Sequence, residues 1–147
     1  MELHSNEEAI TDLKFKGEAG LDSAAPPQEL LKAKKQLEEY LLGKRLEFDL
    51  KLEPKGTEFQ QKVWAELQNI PFGKTISYQE LANKLGDPKV IRAAASANGK
   101  NPIGLIIPCH RVIGQNGKLV GFSGGLSRKK WLLDHENKHA NGVLTLF

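Results

Sequence analysis

The chain has 147 residues, of which 39% are apolar and 27% charged, and its formal net charge is +3. This length allows one hydrophobic core, or one core with a small companion domain. No apolar run approaches the about 20 residues that span a bilayer, and the single cysteine excludes a disulfide framework and any multi-cysteine zinc site.

The amino terminus, MELHSNEE, is acidic where a signal peptide would be basic. An unpaired thiol also suits a reducing compartment. We therefore expect a cytoplasmic protein without membrane association. Acidic residues outnumber basic ones up to residue 54 and basic residues outnumber acidic ones beyond it, a distribution that suits a polyanionic partner for the second part.

The first 54 residues predict a small α/β domain. A weak strand is expected over residues 9–15, and a loop over 20–28 leads through Pro27 into a helix that reaches Leu42 and ends at Gly43. Alternating apolar and charged residues over 45–52 then predict a strand with one solvent-exposed face. The sequence PKG at 54–56 is a plausible domain boundary.

Beyond that boundary, capping residues predict three helices. Thr57 with Gln60, and Ser77 with Glu80, have the spacing of a capping box, and Asp87-Pro88 is an N-cap followed by proline. The predicted helices cover about 58–68, 78–85 and 89–98, with glycine after the second and third. The last two, joined by a tight turn, predict a helix-turn-helix whose second helix would be the recognition helix.

The predicted recognition helix carries Arg92 among small residues, AAASA at 93–97. Small side chains let a helix approach a surface closely, as a narrow minor groove with deformed DNA requires. Arg92 would then act as a wedge or a phosphate clamp. The alternative is an ordinary alanine-rich helix packed against the core.

Cys109 lies in the segment IIPCHRVI, residues 106–113. A thiol is nucleophilic only as the thiolate, so a reactive cysteine needs a nearby base or positive field to lower its pKa. His110 and Arg111 are candidates for that field, but adjacency in sequence does not establish it, because the working base can act through a water or come from elsewhere. The alternative is a free cysteine packed as a small hydrophobic residue.

A larger set of motifs favours reactivity. The segments GTEFQ, IPFGKTISY, ANGKNP, IPCHRVIG, GFSGGL and WLLDHE, within residues 56–136, resemble the DNA-binding and active-site domain of the O6-alkylguanine-DNA alkyltransferases, also called methylated-DNA–protein-cysteine methyltransferases. The resemblance implies an α+β protein. A shortened ribonuclease-H-like α/β domain (residues 1–54) would precede a mainly helical, winged-helix-like domain with the helix-turn-helix (residues 55–147).

The resemblance also implies the reaction. The alkyl group of O6-alkylguanine in duplex DNA would be transferred once to Cys109, after the nucleotide is flipped out of the helix through the minor groove. No cofactor or metal is needed, because the substrate carries its own leaving group. The protein would be a monomer whose partner is damaged double-stranded DNA. Activity on O4-alkylthymine is left open.

Site residues follow by position in the motifs. By the resemblance, Cys109 would be the acceptor, His110 the base acting through a water, and Glu136 the residue that orients the imidazole. Tyr78 would help to rotate the nucleotide and donate a proton, and Asn101 matches an asparagine that ties the recognition helix to the active-site turn. The expected DNA contacts are Arg92, Ala93, Ala94, Ser96, Tyr78 and Arg111. The expected pocket is Val112, Ile113, Phe122, Ser123 and Gly124, with Phe122 standing where many members have tyrosine.

Two rival interpretations remain. HENKH at 135–139 matches HExxH, the zinc-hydrolase motif, but few residues follow to supply a third ligand. A helix-turn-helix protein that only binds alkylated DNA is the second, although such proteins replace the reactive cysteine, which this chain keeps.

Overall fold

The computed structural model describes residues 1–15, 25–117, 119, 122 and 124–142. In chain order its helices and strands are β1 (Glu2–Ser5), β2 (Ile10–Lys14), α1 (Gln28–Leu41), α2 (Glu58–Leu67), β3 (Ile76–Ser77), α3 (Tyr78–Lys84), α4 (Ile91–Gly99), β4 (Val112–Ile113) and α5 (Leu126–Asn141). Short 3-10 turns lie at Pro88–Val90, Cys109–Arg111 and Gln115–Gly117. None of the helices in the described part is both long and apolar enough to cross a bilayer.

The chain divides into two units. One contains Met1–Lys55 with Pro102–Ile106, and the other contains Gly56–Asn101 with Ile107–Phe147. The division at residues 54/55 that we drew from the sequence did not anticipate the return of residues 102–106 to the first unit.

The first unit is built around β2. It pairs antiparallel with β1, and it forms single parallel bridges from Ile10 to Leu52 and from Leu13 to Ile103. α1 packs on both strands through an apolar face. The predicted strand at 9–15 and the predicted helix at 27–42 are confirmed with slightly shorter bounds, whereas β1 was not predicted.

The strand predicted over residues 45–52 is wrong. Only Leu52 makes a strand bridge. At Asp49 the backbone is bonded by a side chain instead of a neighbouring strand: Asp49 N donates to Gln36 Oε1 at 2.9 Å, and Gln36 Nε2 donates to the Asp49 carbonyl at 3.1 Å. Because α1 satisfies the backbone groups of Asp49, the chain there needs no neighbouring strand, and the segment meets β2 only at its end, where Leu52 bridges Ile10.

In the second unit the helix starts follow the predicted caps. Both capping boxes are present, with Thr57 accepting from Gln60 N and Ser77 accepting from Glu80 N. The third helix differs: Asp87 caps a 3-10 turn, Pro88–Val90, and the α-helix α4 begins only at Ile91. The turn between α3 and α4 contains Gly86, whose φ of 94° favours glycine.

A two-residue parallel pairing positions the chemistry of this unit. Ile76 lies opposite Val112 and Ser77 opposite Ile113. Tyr78 follows β3 directly, and the turn Cys109–Arg111 directly precedes β4. The pairing therefore brings the start of α3 beside the turn that carries the cysteine.

Replacing Gln36 with leucine tests whether its side chain stabilises the backbone at Asp49 in place of a neighbouring strand. Gln36→Leu leaves the Asp49 N–H and C=O without partners, which we expect to lower the free energy of unfolding by about 1–3 kcal/mol. Urea denaturation measures this. The exposed Gln28 on the same helix supplies the control, since Gln28→Leu should change stability by less than about 0.5 kcal/mol. Equal stabilities of the two variants would contradict the interpretation.

Candidate active site

Cys109 begins a 3-10 turn and is only 3% exposed. Its amide donates to the Ile107 carbonyl at 2.8 Å. The same carbonyl accepts a second hydrogen bond, from Asn101 Nδ2 at 2.8 Å. Asn101 lies just past the end of α4, so its side chain ties the helix-turn-helix to the active-site turn, as the motif comparison implied.

The next two residues of the turn share one carboxylate. His110 Nε2 is 2.7 Å from Glu136 Oε2, and Arg111 donates to Oε1 from Nε at 2.8 Å and to Oε2 from Nη2 at 2.9 Å. Arg111 Nη1 also donates to the Ile70 carbonyl at 2.6 Å. All three side chains are buried. Glu136, from α5, is therefore the common anchor of the turn.

The cluster fixes the protonation of the imidazole. Hydrogen bonds and charge from His110 and Arg111 lower the pKa of Glu136 to about 2 although burial alone would raise it. Burial lowers the pKa of His110 despite the neighbouring carboxylate. A neutral imidazole beside an ionised carboxylate donates from Nε2, which leaves Nδ1 as the basic nitrogen. Nδ1 is buried and has no hydrogen-bond partner among the described residues.

The pKa of Cys109, which the sequence left open, is raised and not lowered. Burial raises the pKa of the thiol, and the hydrogen bond from Asn101, the charge of Lys129 and two backbone amides offset this only in part. His110 lacks a positive charge to contribute, and the charge of Arg111 is matched by Glu136. The resting side chain is therefore a thiol and not a thiolate.

Lys129 was missed by the sequence analysis. It is fully buried on α5, where Nζ donates to the Val112 carbonyl at 2.7 Å and lies 5.9 Å from the centre of the Tyr78 ring. Burial lowers its pKa, and Cys109 opposes that shift. Helical spacing supplied a signal, because residues 129, 132 and 136 share one helix face with apolar Leu132 in the middle.

Asn98 was also missed. It is 1% exposed near the end of α4, and its Nδ2 donates to the Cys109 carbonyl at 3.4 Å. The buried face of the helix, at residues 94, 97 and 98, gives the corresponding periodic signal.

The predicted DNA contacts separate into two groups. Arg92, Ala93 and Ser96 lie exposed on α4. Ala94 is fully buried, so its assignment to the DNA surface was wrong. Arg111 was also wrongly assigned there, because its guanidinium is held by Glu136 and Ile70 and is not available to phosphates.

The predicted pocket residues differ in burial. Val112 and Gly124 are buried, while Ile113 and Phe122 are half-buried. Tyr78 is also half-buried, and burial, followed by the charge of Cys109, raises its pKa. Ser123 lies outside the described residues.

The residues of the HExxH motif have other partners. Glu136 is engaged by His110 and Arg111. The His135 ring stacks on Trp131 with centroids 4.9 Å apart and meets His139 edge-on at 4.5 Å. In the described part of the chain no three His, Cys, Asp or Glu side chains are grouped to hold a metal ion. The zinc-hydrolase interpretation therefore lacks its general base.

Comparison with known proteins adds independent findings. Residues 58–138 match the family model of the 6-O-methylguanine DNA methyltransferase DNA-binding domain, and residues 1–54 match that of its ribonuclease-like domain. The methylated-DNA–protein-cysteine methyltransferase of Mycolicibacterium paratuberculosis is 50% identical over 121 residues, which are 82% of this chain and 73% of that protein.

Two solved structures are similar over most of their length. Mycobacterium tuberculosis O6-methylguanine methyltransferase superposes with a TM-score of 0.81 at 42% identity, covering 92% of this chain and 85% of that one. Mycobacterium tuberculosis OGT in complex with DNA superposes with a TM-score of 0.82 at 42% identity, covering 94% and 86%.

Replacing Glu136 with glutamine tests the anchor. The pKa of Glu136 is about 2 in the fold against an ordinary 4.5, so the carboxylate stabilises the protein above pH about 4.5 and loses this contribution as the pH falls towards 2. Glu136→Gln should therefore be less stable at pH 7 by about 3 kcal/mol, with a difference that shrinks below pH about 4.5. Urea denaturation across this range measures it. Glu47→Gln, at an exposed site, is the control. A stability difference between Glu136→Gln and the unchanged protein that does not vary with pH would contradict the role of the ionised carboxylate.

Proposed function

This chain belongs to the 6-O-methylguanine DNA methyltransferase family, and we propose that Cys109 is the residue that receives the alkyl group it removes from DNA. The chain acts in DNA repair as a methylated-DNA–protein-cysteine methyltransferase. The observation that supports Cys109 is its place in the turn Cys109–Arg111, next to an imidazole whose basic nitrogen is selected by an ionised carboxylate.

Activation of the thiol is the first step. His110 Nδ1 takes the thiol proton through a bridging water, and Glu136 stabilises the imidazolium that forms. The new thiolate is held by Asn101 and by the charge of Lys129, the groups that already favour it in the free protein. Because burial opposes ionisation, proton loss is confined to the encounter with substrate.

Transfer of the alkyl group and departure of the purine follow. The sulfur forms a bond to the alkyl carbon, and the bond from that carbon to O6 breaks with its electron pair passing to the purine. Tyr78 donates a proton to the purine and is reprotonated from solvent, and the His110 imidazolium releases the thiol proton to solvent. One proton thus leaves Cys109 and one is gained by guanine. The product is a thioether, which no neighbouring group hydrolyses. Each chain therefore acts once, without a cofactor.

DNA is bound by the exposed face of α4. Ala93 and Ser96 permit close approach to the minor groove, and Arg92 occupies the space that the flipped nucleotide leaves. The extruded base is received by backbone groups of Val112 and Ile113, with Phe122, Ser123 and Gly124 closing the pocket.

The two parts of the chain have different roles. Residues 55–147 carry DNA binding and transfer, and residues 1–54 form a shortened companion domain, as the two family-model matches support. The protein acts as a monomer in the cytoplasm, where a reducing environment keeps the single thiol available.

Mass spectrometry tests the acceptor directly. Incubation with a duplex that contains one O6-methylguanine should add about 14 Da, one methyl in place of one hydrogen, located on Cys109 and saturating at one per chain. Cys109→Ala should remain unmodified. A protein that binds the lesion without gaining mass would instead be a recognition protein.

Two substrates separate the role of Arg92 from that of the chemical site. Arg92→Ala should slow transfer from duplex DNA at least about tenfold, while transfer from free O6-benzylguanine changes by less than about twofold, because only the duplex requires a wedge. Single-turnover rates measure both reactions. Arg45→Ala, in the amino-terminal unit, controls for loss of one positive charge. Equal losses of Arg92→Ala on both substrates would contradict the assignment.

A further inference from the structure

We propose that Asn98 is a positioning residue for alkyl transfer, which holds the Tyr78 hydroxyl so that its hydrogen is free to pass to the departing purine. The inference rests on the proposed function, because it takes Tyr78 to be the proton donor. It adds to the machinery described above a residue on the buried face of α4 that contacts the Cys109 carbonyl.

Asn98 occupies a fixed place. α4 is held by the Trp64 indole, which donates to the Ala97 carbonyl at 2.8 Å. The next side chain, Asn98, is 1% exposed, and its Nδ2 reaches the Cys109 carbonyl at 3.4 Å. A side chain this buried has no freedom to choose another arrangement without moving the helix.

The orientation of the Asn98 amide follows from its neighbour. A backbone carbonyl only accepts hydrogen bonds, so the NH₂ group and not the oxygen must face Cys109. Oδ1 then lies on the other side of the amide, where it is buried and has no donor among the described residues. An unpaired buried acceptor is unfavourable for stability, so the hydrogen bonds that Asn98 makes come from its NH₂ group alone.

The second hydrogen of that NH₂ group is available to Tyr78. The hydrogen bond from Asn98 lowers the pKa of Tyr78, against the larger raising effects of burial and of Cys109. A phenol oxygen that accepts from an amide keeps its own hydrogen for another acceptor. Asn98 therefore orients the hydroxyl as a donor and stabilises the phenolate that exists until Tyr78 is reprotonated.

A double-mutant cycle tests this coupling. We expect Asn98→Ala to slow single-turnover transfer about tenfold, the effect of one hydrogen bond to a group that gains charge. The slowing should be similar for free O6-benzylguanine and for duplex substrate, because the purine proton is needed in both. Tyr78→Phe should slow transfer about a hundredfold, and adding Asn98→Ala to Tyr78→Phe should change the rate by less than about twofold. Asn69→Ala, at an exposed site, is the matched control.

Thermal unfolding separates this role from a structural one. Asn98→Leu removes the unpaired acceptor together with the donor, so it should keep or raise the unfolding midpoint while slowing transfer as Asn98→Ala does. Rate losses of Asn98→Ala and Tyr78→Phe that multiply, or a wild-type rate for Asn98→Ala, would overturn the inference alone. Absence of alkylation on Cys109, or a wild-type rate for Tyr78→Phe, would overturn the proposed function and this inference with it.

Discussion

The carboxylate of Glu136 holds the second unit of this protein together at its active site. Through Glu136, α5 is bonded to His110 and Arg111, and Arg111 also bonds the turn to Ile70, three residues past the end of α2. Buried ions lose hydration that only well-placed partners restore. Here the cationic Arg111 and the neutral His110 both donate to the Glu136 carboxylate, so the carboxylate stays ionised and the imidazole stays neutral. The interaction that stabilises the turn therefore also leaves Nδ1 as the unprotonated nitrogen of His110.

This arrangement keeps the nucleophile unreactive until it is needed. A single-use protein loses its function if the thiol is oxidised before it meets a lesion, and oxidation requires thiolate character and exposure. Cys109 lacks both, because it is buried and burial raises its pKa. The groups that favour the thiolate, Asn101 and Lys129, are nevertheless already in place. Substrate binding has only to supply the proton path, so reactivity and protection coexist in one geometry.

The sequence predicted most of what local chemistry controls. Both capping boxes, the helix-turn-helix and the cysteine motif depend on residues a few positions apart, and all are present in the structure. The predictions failed where contacts between residues distant in sequence determine the structure. The alternation at 45–52 did not form a strand, because Gln36 satisfies the backbone there. Arg111 and Ala94 are buried although we predicted them at the DNA surface, and Lys129 and Asn98 lie beside the cysteine turn although we did not predict them there. Tertiary packing, which local sequence does not encode, decides which side chains are buried.

The two faces of α4 lie in different environments. One face presents Arg92 and Ser96 to solvent, while the other buries Asn98 against the Cys109 carbonyl. Asn101, just past the helix, holds the carbonyl that precedes Pro108. The small side chains of α4 allow close packing against α2 and α3. The exposed face that we propose for DNA binding and the side chain that bonds the Cys109 carbonyl therefore belong to one packed helix, so a change in the position of α4 would affect both.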